Sequence, residues 1–118
     1  MGTWSTEIHG NDTFQDIYQS FHDYVNEGKQ PVDITKMLFI EYADVFEDMD
    51  DRNNALFGLA LAQWETGSLQ DTVLHDVKEI IESGNDLVVW MNLGADEAMI
   101  AERRVVLKAF LDKISSEK

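Results

Sequence analysis

Residues Ala55-Leu56-Phe57-Gly58-Leu59-Ala60-Leu61-Ala62 run for eight positions without one polar side chain. A helix that is apolar all round has no face to offer water, so it must sit in the middle of a fold with neighbours on most sides. Asp50 or Asp51 supplies a start for it and Gly67 a stop, which predicts a central helix over about residues 51–66. Gly58, Ala60 and Ala62 add little bulk and let those neighbours approach closely. The rest of the chain must then supply the cover.

That cover reads as helical. Behind Asn11 or Asp12, natural N-caps, Phe14, Ile17, Tyr18, Phe21, Tyr24 and Val25 recur at helical spacing as far as Gly28. Pro31 marks a connection, and Asp33 is expected to cap a second helix reaching about Asp48. Ser68 is expected to cap another, with Leu69, Val73, Leu74, Val77, Ile80 and Ile81 on one face and Gly84 as its stop. Residues Asp86 to Leu93 include a strand-like Leu-Val-Val-Trp run, but a lone strand has nothing to pair with, so the segment is read as a short helix. Asp96 caps a last helix to about Ile114. One Pro and seven Gly leave little for the many turns of an all-β chain. At 118 residues one core suffices. The expectation is all-α: a single compact domain of five to six helices around the central one. Residues 1–10 form an irregular arm from which Trp4 packs back, and residues 115–118 fray.

Charge narrows the class of partner. Nine Lys and Arg against 23 Asp and Glu give a net −14, a field that repels nucleic acid and anionic membrane and favours cationic partners. Residues 103–118 carry five bases against Asp112 and Glu117, a net of +3, which leaves −17 on residues 1–102. A basic end on an acidic body predicts that the last helix docks against its own domain. Without cysteine there is no disulfide, thiolate nucleophile or cysteine-based zinc site. No apolar run exceeds eight residues, and no basic flank precedes an apolar stretch at the start, so a cytoplasmic location is expected. Met1 to Thr6 fits the loose myristoylation pattern and Asn11-Asp12-Thr13 the glycosylation sequon. A single acyl chain without a basic patch holds a membrane marginally, and glycosylation needs secretion, so neither motif is expected to act.

The hydrolase, kinase and dinucleotide-binding motifs are absent, and no catalytic residue, cofactor or metal is expected. Asp71, His75 and Glu79 fall at i, i+4 and i+8, a stripe that could ligate a metal if it faced a core. It lies with Lys78 and Glu82, opposite Val73, Val77 and Ile80, and so reads as a solvated face. His9, near Glu7 and Asp12, reads as a surface histidine; His22 reads as a packed or hydrogen-bonded imidazole. A metal-dependent enzyme using these groups, or a nucleic-acid mimic with carboxylates at phosphate spacing, is the alternative reading.

Two features resist bland explanation. Glu41, Asp44, Glu47, Asp48, Asp50 and Asp51 put six carboxylates in eleven residues without a base or the central glycine of a calcium loop. Asp50 and Asp51 serve as caps. On the second helix Leu38, Phe39, Tyr42, Val45 and Phe46 share one broad face, and Glu41, Asp44, Glu47 and Asp48 occupy the other. Met37 and Ile40 lie inside that acidic sector, and apolar anchors ringed by charge suit a basic protein partner. Unless another segment covers those two, this is the candidate surface. The second feature is Arg103, a cation within the apolar stripe of Ile100, Leu107, Phe110 and Ile114. It is expected to pair with a carboxylate of another helix or to snorkel at the rim.

Met1-Gly2-Thr3-Trp4-Ser5-Thr6 followed by Gly10-Asn11-Asp12-Thr13 resembles a family of uncharacterised bacterial proteins, a domain of unknown function with an MGTWGT-like N-terminal signature. Leu59 to Trp64 with Gly67-Ser68-Leu69, Ile80 to Gly84, and Glu102 to Leu107 are similar to members of that group as well. Ser5 stands where the family usually has glycine. The resemblance implies a bacterial source and a helical domain, and carries no activity, cofactor or catalytic residue to transfer. Small acidic members of such families occur near toxin systems, which implies an immunity-like role. The functional expectation is a small acidic, non-enzymatic binding protein, of the kind that neutralises a basic toxin.

Overall fold

Asn11 opens the first helix as its side chain suggests, accepting a hydrogen bond from the Phe14 N–H at 3.0 Å. The computed structural model describes residues 11–116, and among them lie seven helices. The expected arm at residues 1–10, with Trp4 and His9, and residues 117–118 of the expected tail fall outside the described residues. In order the helices are α1 (Asp12–Asn26), α2 (Pro31–Glu41), α3 (Ala43–Glu47), α4 (Arg52–Glu65), α5 (Asp71–Ser83), α6 (Asn85–Asn92) and α7 (Glu97–Ser115).

The centre is α4. Asn53 through Gln63 are all buried, without a break, as an all-round apolar helix requires. Its most extensive neighbour is α1, which turns Phe14, Ile17 and Phe21 inward. Gly58 makes that seam possible. A Cβ built there would stand 2.6 Å from the Phe14 carbonyl oxygen, so the two backbones touch where a side chain would otherwise hold them apart. On the other side α5 lays Val73, Val77 and Ile80 against the core, and α7 packs on α5, α6 and α4.

The count of seven exceeds the expected five to six because the second helix does not run straight to Asp48. It breaks at Tyr42, whose backbone (φ −111°, ψ 28°) leaves the helical region, and resumes as α3. The bend lets α3 pack on α4, where Val45 and Phe46 lie half-buried against the core. The Tyr42 hydroxyl is joined to Ser20 of α1 at 2.8 Å and anchors the bend.

Several helix starts differ from expectation for one reason: the chain uses residues just outside the nearest Asp or Ser. Gln30 is the N-cap of α2 with Pro31 in the first turn, so Asp33 lies inside the helix, its charge near the positive end of the dipole. Ser68 does not cap α5. Its hydroxyl bonds the Gln63 carbonyl at 3.2 Å, and α5 begins after Gln70. Asp96 does cap α7, accepting from the Met99 N–H at 2.9 Å. The Asp86 to Leu93 segment is helical as expected, and no strand occurs among the described residues. Gly84, with φ +79°, ends α5 in the left-handed conformation and turns the chain directly into α6.

Candidate functional site

The exposed side of α2 and α3 is built by the same break that builds the core. Ile34, Thr35 and Leu38 face inward on α2. Two residues beyond Leu38, Ile40 points to solvent and keeps 78% of its surface exposed. Met37, expected beside it, is half-buried, on the flank it shares with Glu41 towards α1. Phe39 departs from the expectation in the other direction. About 100° around the helix from Leu38, it lies off the core and is 42% exposed, its ring 4.7 Å from that of Phe46. Val32, one heptad earlier on the same flank, is exposed as well, as is Met49 after α3. The sequence reading left out Val32 and Met49, which flank the helix it drew over 33–48, and set Phe39 on the same broad face as Leu38. The i, i+7 repeat of Val32 and Phe39 was the available signal.

The carboxylates around these anchors divide into two kinds. Glu41 is held by the Tyr24 hydroxyl, which donates to its two oxygens at 2.8 and 2.7 Å. That hydrogen bond, with a lesser contribution from burial and from the Glu41 charge, raises the Tyr24 pKa above its ordinary value. Asp48 is engaged too: its side chain accepts from the Asp50 N–H at 2.8 Å and the Asp51 N–H at 3.2 Å, closing the turn before α4. Asp51 stands at the N-cap position of α4 as expected, but its side chain makes no capping bond and accepts from the Thr13 hydroxyl at 3.4 Å. Asp44 and Glu47 are exposed and hold no salt bridge or side-chain hydrogen bond among the described residues, so their carboxyl groups face outward.

Arg103 is paired within the core, the first of the two arrangements expected of it. It is 1% exposed, and its Nε donates to Asp86 Oδ2 of α6 at 2.9 Å while a terminal nitrogen donates to Asn54 Oδ1 of α4 at 3.1 Å. The other Asp86 oxygen accepts from Asn53 Nδ2 at 3.2 Å. The guanidinium lies over the rings of Trp90 (4.9 Å) and Phe57 (5.7 Å). Every fully buried side-chain polar atom among the described residues has a partner, so this network is closed. It ties α4, α6 and α7 together and offers no free group to a ligand. Of the other bases of α7, Lys113 lies 5.5 Å over the Trp64 ring, Lys108 reaches Asp112 on its own helix at 3.8 Å, and Arg104 is exposed.

His22 and His75, the two histidines among the described residues, fall where their sequence context puts them. His75 and Glu79 form a 3.4 Å pair on a face that is more than two-thirds exposed, with Asp71 also in solvent. His22 bonds Glu65 through Nε2 at 3.0 Å. Tyr18 donates to the same Glu65 oxygen at 2.5 Å, and its pKa is pushed up to about 12, first by burial and then by that bond and the neighbouring carboxylate. This cluster joins α1 to α4. Among the described residues no group of three or more His, Asp or Glu side chains is placed to hold a metal ion. No described helix is long and apolar enough to cross a membrane.

No protein-family model, curated protein or solved structure matches the chain. The geometry of its own surface is therefore what a functional reading has to stand on.

Proposed function

We propose that this chain is a non-enzymatic binding protein whose partner is a basic protein, received on the outer side of α2 and α3. The observation that carries the reading is Ile40. A large aliphatic side chain left 78% exposed beside a partly exposed Phe39, with the unengaged carboxylates of Asp44 and Glu47 four and seven residues further on, costs solvation in the free protein. A partner that covers the apolar atoms and meets the acids with Lys or Arg recovers that cost and gains specificity. The site narrows from Met37, Ile40, Glu41, Asp44, Glu47 and Asp48 to Ile40, Asp44 and Glu47 at its centre. Glu41 and Asp48 are already satisfied within the fold. A net charge of −14 supports the choice of a cationic partner by speeding encounter, and neutralisation of a basic toxin is the form of this role we favour.

The test is capture of a partner from the native host on the immobilised protein, in parallel with Ile40→Asp and with the Asp44→Lys, Glu47→Lys pair. A basic protein retained by the parent and lost from both variants supports the reading. Retention by both variants removes this surface.

A further inference from the structure

We infer that the surface of α2 and α3 receives its basic partner as an amphipathic helix; the inference rests on the reading just given and specifies the shape of the partner. The exposed apolar atoms form a strip, not a round patch. Val32 and Phe39 are seven residues apart on one flank of α2, a rise of about 10 Å at about 1.5 Å per residue. Ile40 widens the strip, and the Phe39–Phe46 ring contact at 4.7 Å carries it across the break onto α3. An apolar strip two helical turns long matches the anchors of one face of a helix, which recur at i, i+3 or i+4, and i+7 over the same span.

Charge sets how that helix lies. Asp44 and Glu47 sit at the α3 end, whereas on α2 the exposed acid Asp33 is offset by the exposed Lys36 one turn later. The partner's bases therefore gather at the α3 end, and its apolar face runs back along α2 past Lys36. Two other occupants fit less well. A second copy of this chain carries the same net −14, and pairing through this face would set Asp44 and Glu47 against their own copies. An added β-strand needs a sheet edge, and no strand occurs among the described residues.

The experiment uses two synthetic peptides of roughly 16 residues, long enough to form a helix on binding. One places Leu at i, i+3, i+4 and i+7 and Lys elsewhere; the other has the same composition with its order scrambled, so that bulk attraction to an acidic protein is equal. Binding is read by fluorescence anisotropy at about 0.15 M salt, where long-range attraction is largely screened. The expected result is a preference for the patterned peptide of about tenfold or more. That preference should vanish in Ile40→Asp and persist in Val105→Asp, a matching change at an exposed apolar residue of α7. Equal affinity for the two peptides, or a preference that survives Ile40→Asp, overturns the inference. If the peptides fail while the captured host protein still depends on Ile40, the partner presents a different shape and the surface stands. If both are indifferent to Ile40, the surface falls with the inference.

Discussion

A methyl group at residue 58 would meet the Phe14 carbonyl at 2.6 Å, and a backbone atom cannot swing aside as a side-chain tip can. Gly58→Ala gains up to about 1 kcal/mol of helix preference. Against this, parting α1 from α4 carries an overpacking cost of about 1–3 kcal/mol. We expect a net loss, visible as a lower urea midpoint with an unchanged slope; a midpoint at or above the parent's would mean that the seam relaxes freely. At Arg103 the governing term is the charge left behind. Arg103→Met strands Asp86 in the core and should cost about 3–5 kcal/mol. Arg103→Met with Asp86→Leu removes both charges and should recover much of it. A double variant no better than the single one would place the stability in the Asn54 and Trp90 contacts instead. The sequence exposed half of this pair. Arg103 stood out because a cation interrupted an apolar stripe, and solvation left it a carboxylate partner or a place at the rim. Asp86 could not be named, since it reads as an ordinary first-turn acid until α6 is folded against α7.

At the scale of elements, the long periodic segments were legible and the short ones were not. Phe14 to Val25 and Val73 to Ile81 each paint one face of a helix, and Asn11 and Asp96 bond the N–H groups that an N-cap should. The break at Tyr42 left no Gly or Pro to announce it. It goes with tertiary packing, since α3 lies on α4 with Val45 and Phe46 half-buried against the core. Gln63 was hidden for a similar reason. It sits at the end of the apolar run of α4, yet its amide bonds Thr35 at 2.9 Å and Gln70 at 3.1 Å, joining α4 to α2 and to the approach of α5. The α1–α4 seam makes a pH prediction. Because the folded Tyr18 pKa is pushed up to about 12 from an ordinary 10.0, its bond to Glu65 contributes fully below pH 10. That contribution is lost as pH rises through about 12, since the unfolded chain releases the phenol proton first. Stability should fall across this window in the parent and less steeply in Tyr18→Phe. Parallel declines would show that the Tyr18 phenol is not the titrating group.

For the whole molecule, the question is whether location or total charge governs association. Glu47→Lys and Glu79→Lys change the net charge equally, but Glu79 lies on the solvated face of α5 beside His75. Partner affinity and its dependence on salt should drop markedly for Glu47→Lys and little for Glu79→Lys. Similar losses would assign the effect to the overall field. The candidate surface was partly legible at this scale, since a −14 chain with apolar residues among its acids invites a basic partner. Which acids remain available was not legible, because Glu41 is claimed by Tyr24 and Asp48 by a turn only once the chain is folded. The bend at Tyr42 has a consequence for descent. It assigns inner positions such as Leu38 to holding the fold and leaves outer ones such as Ile40, Asp44 and Glu47 without internal duties. A lineage could rewrite those outer positions to follow a changing target, one substitution at a time, while the scaffold beneath is inherited intact.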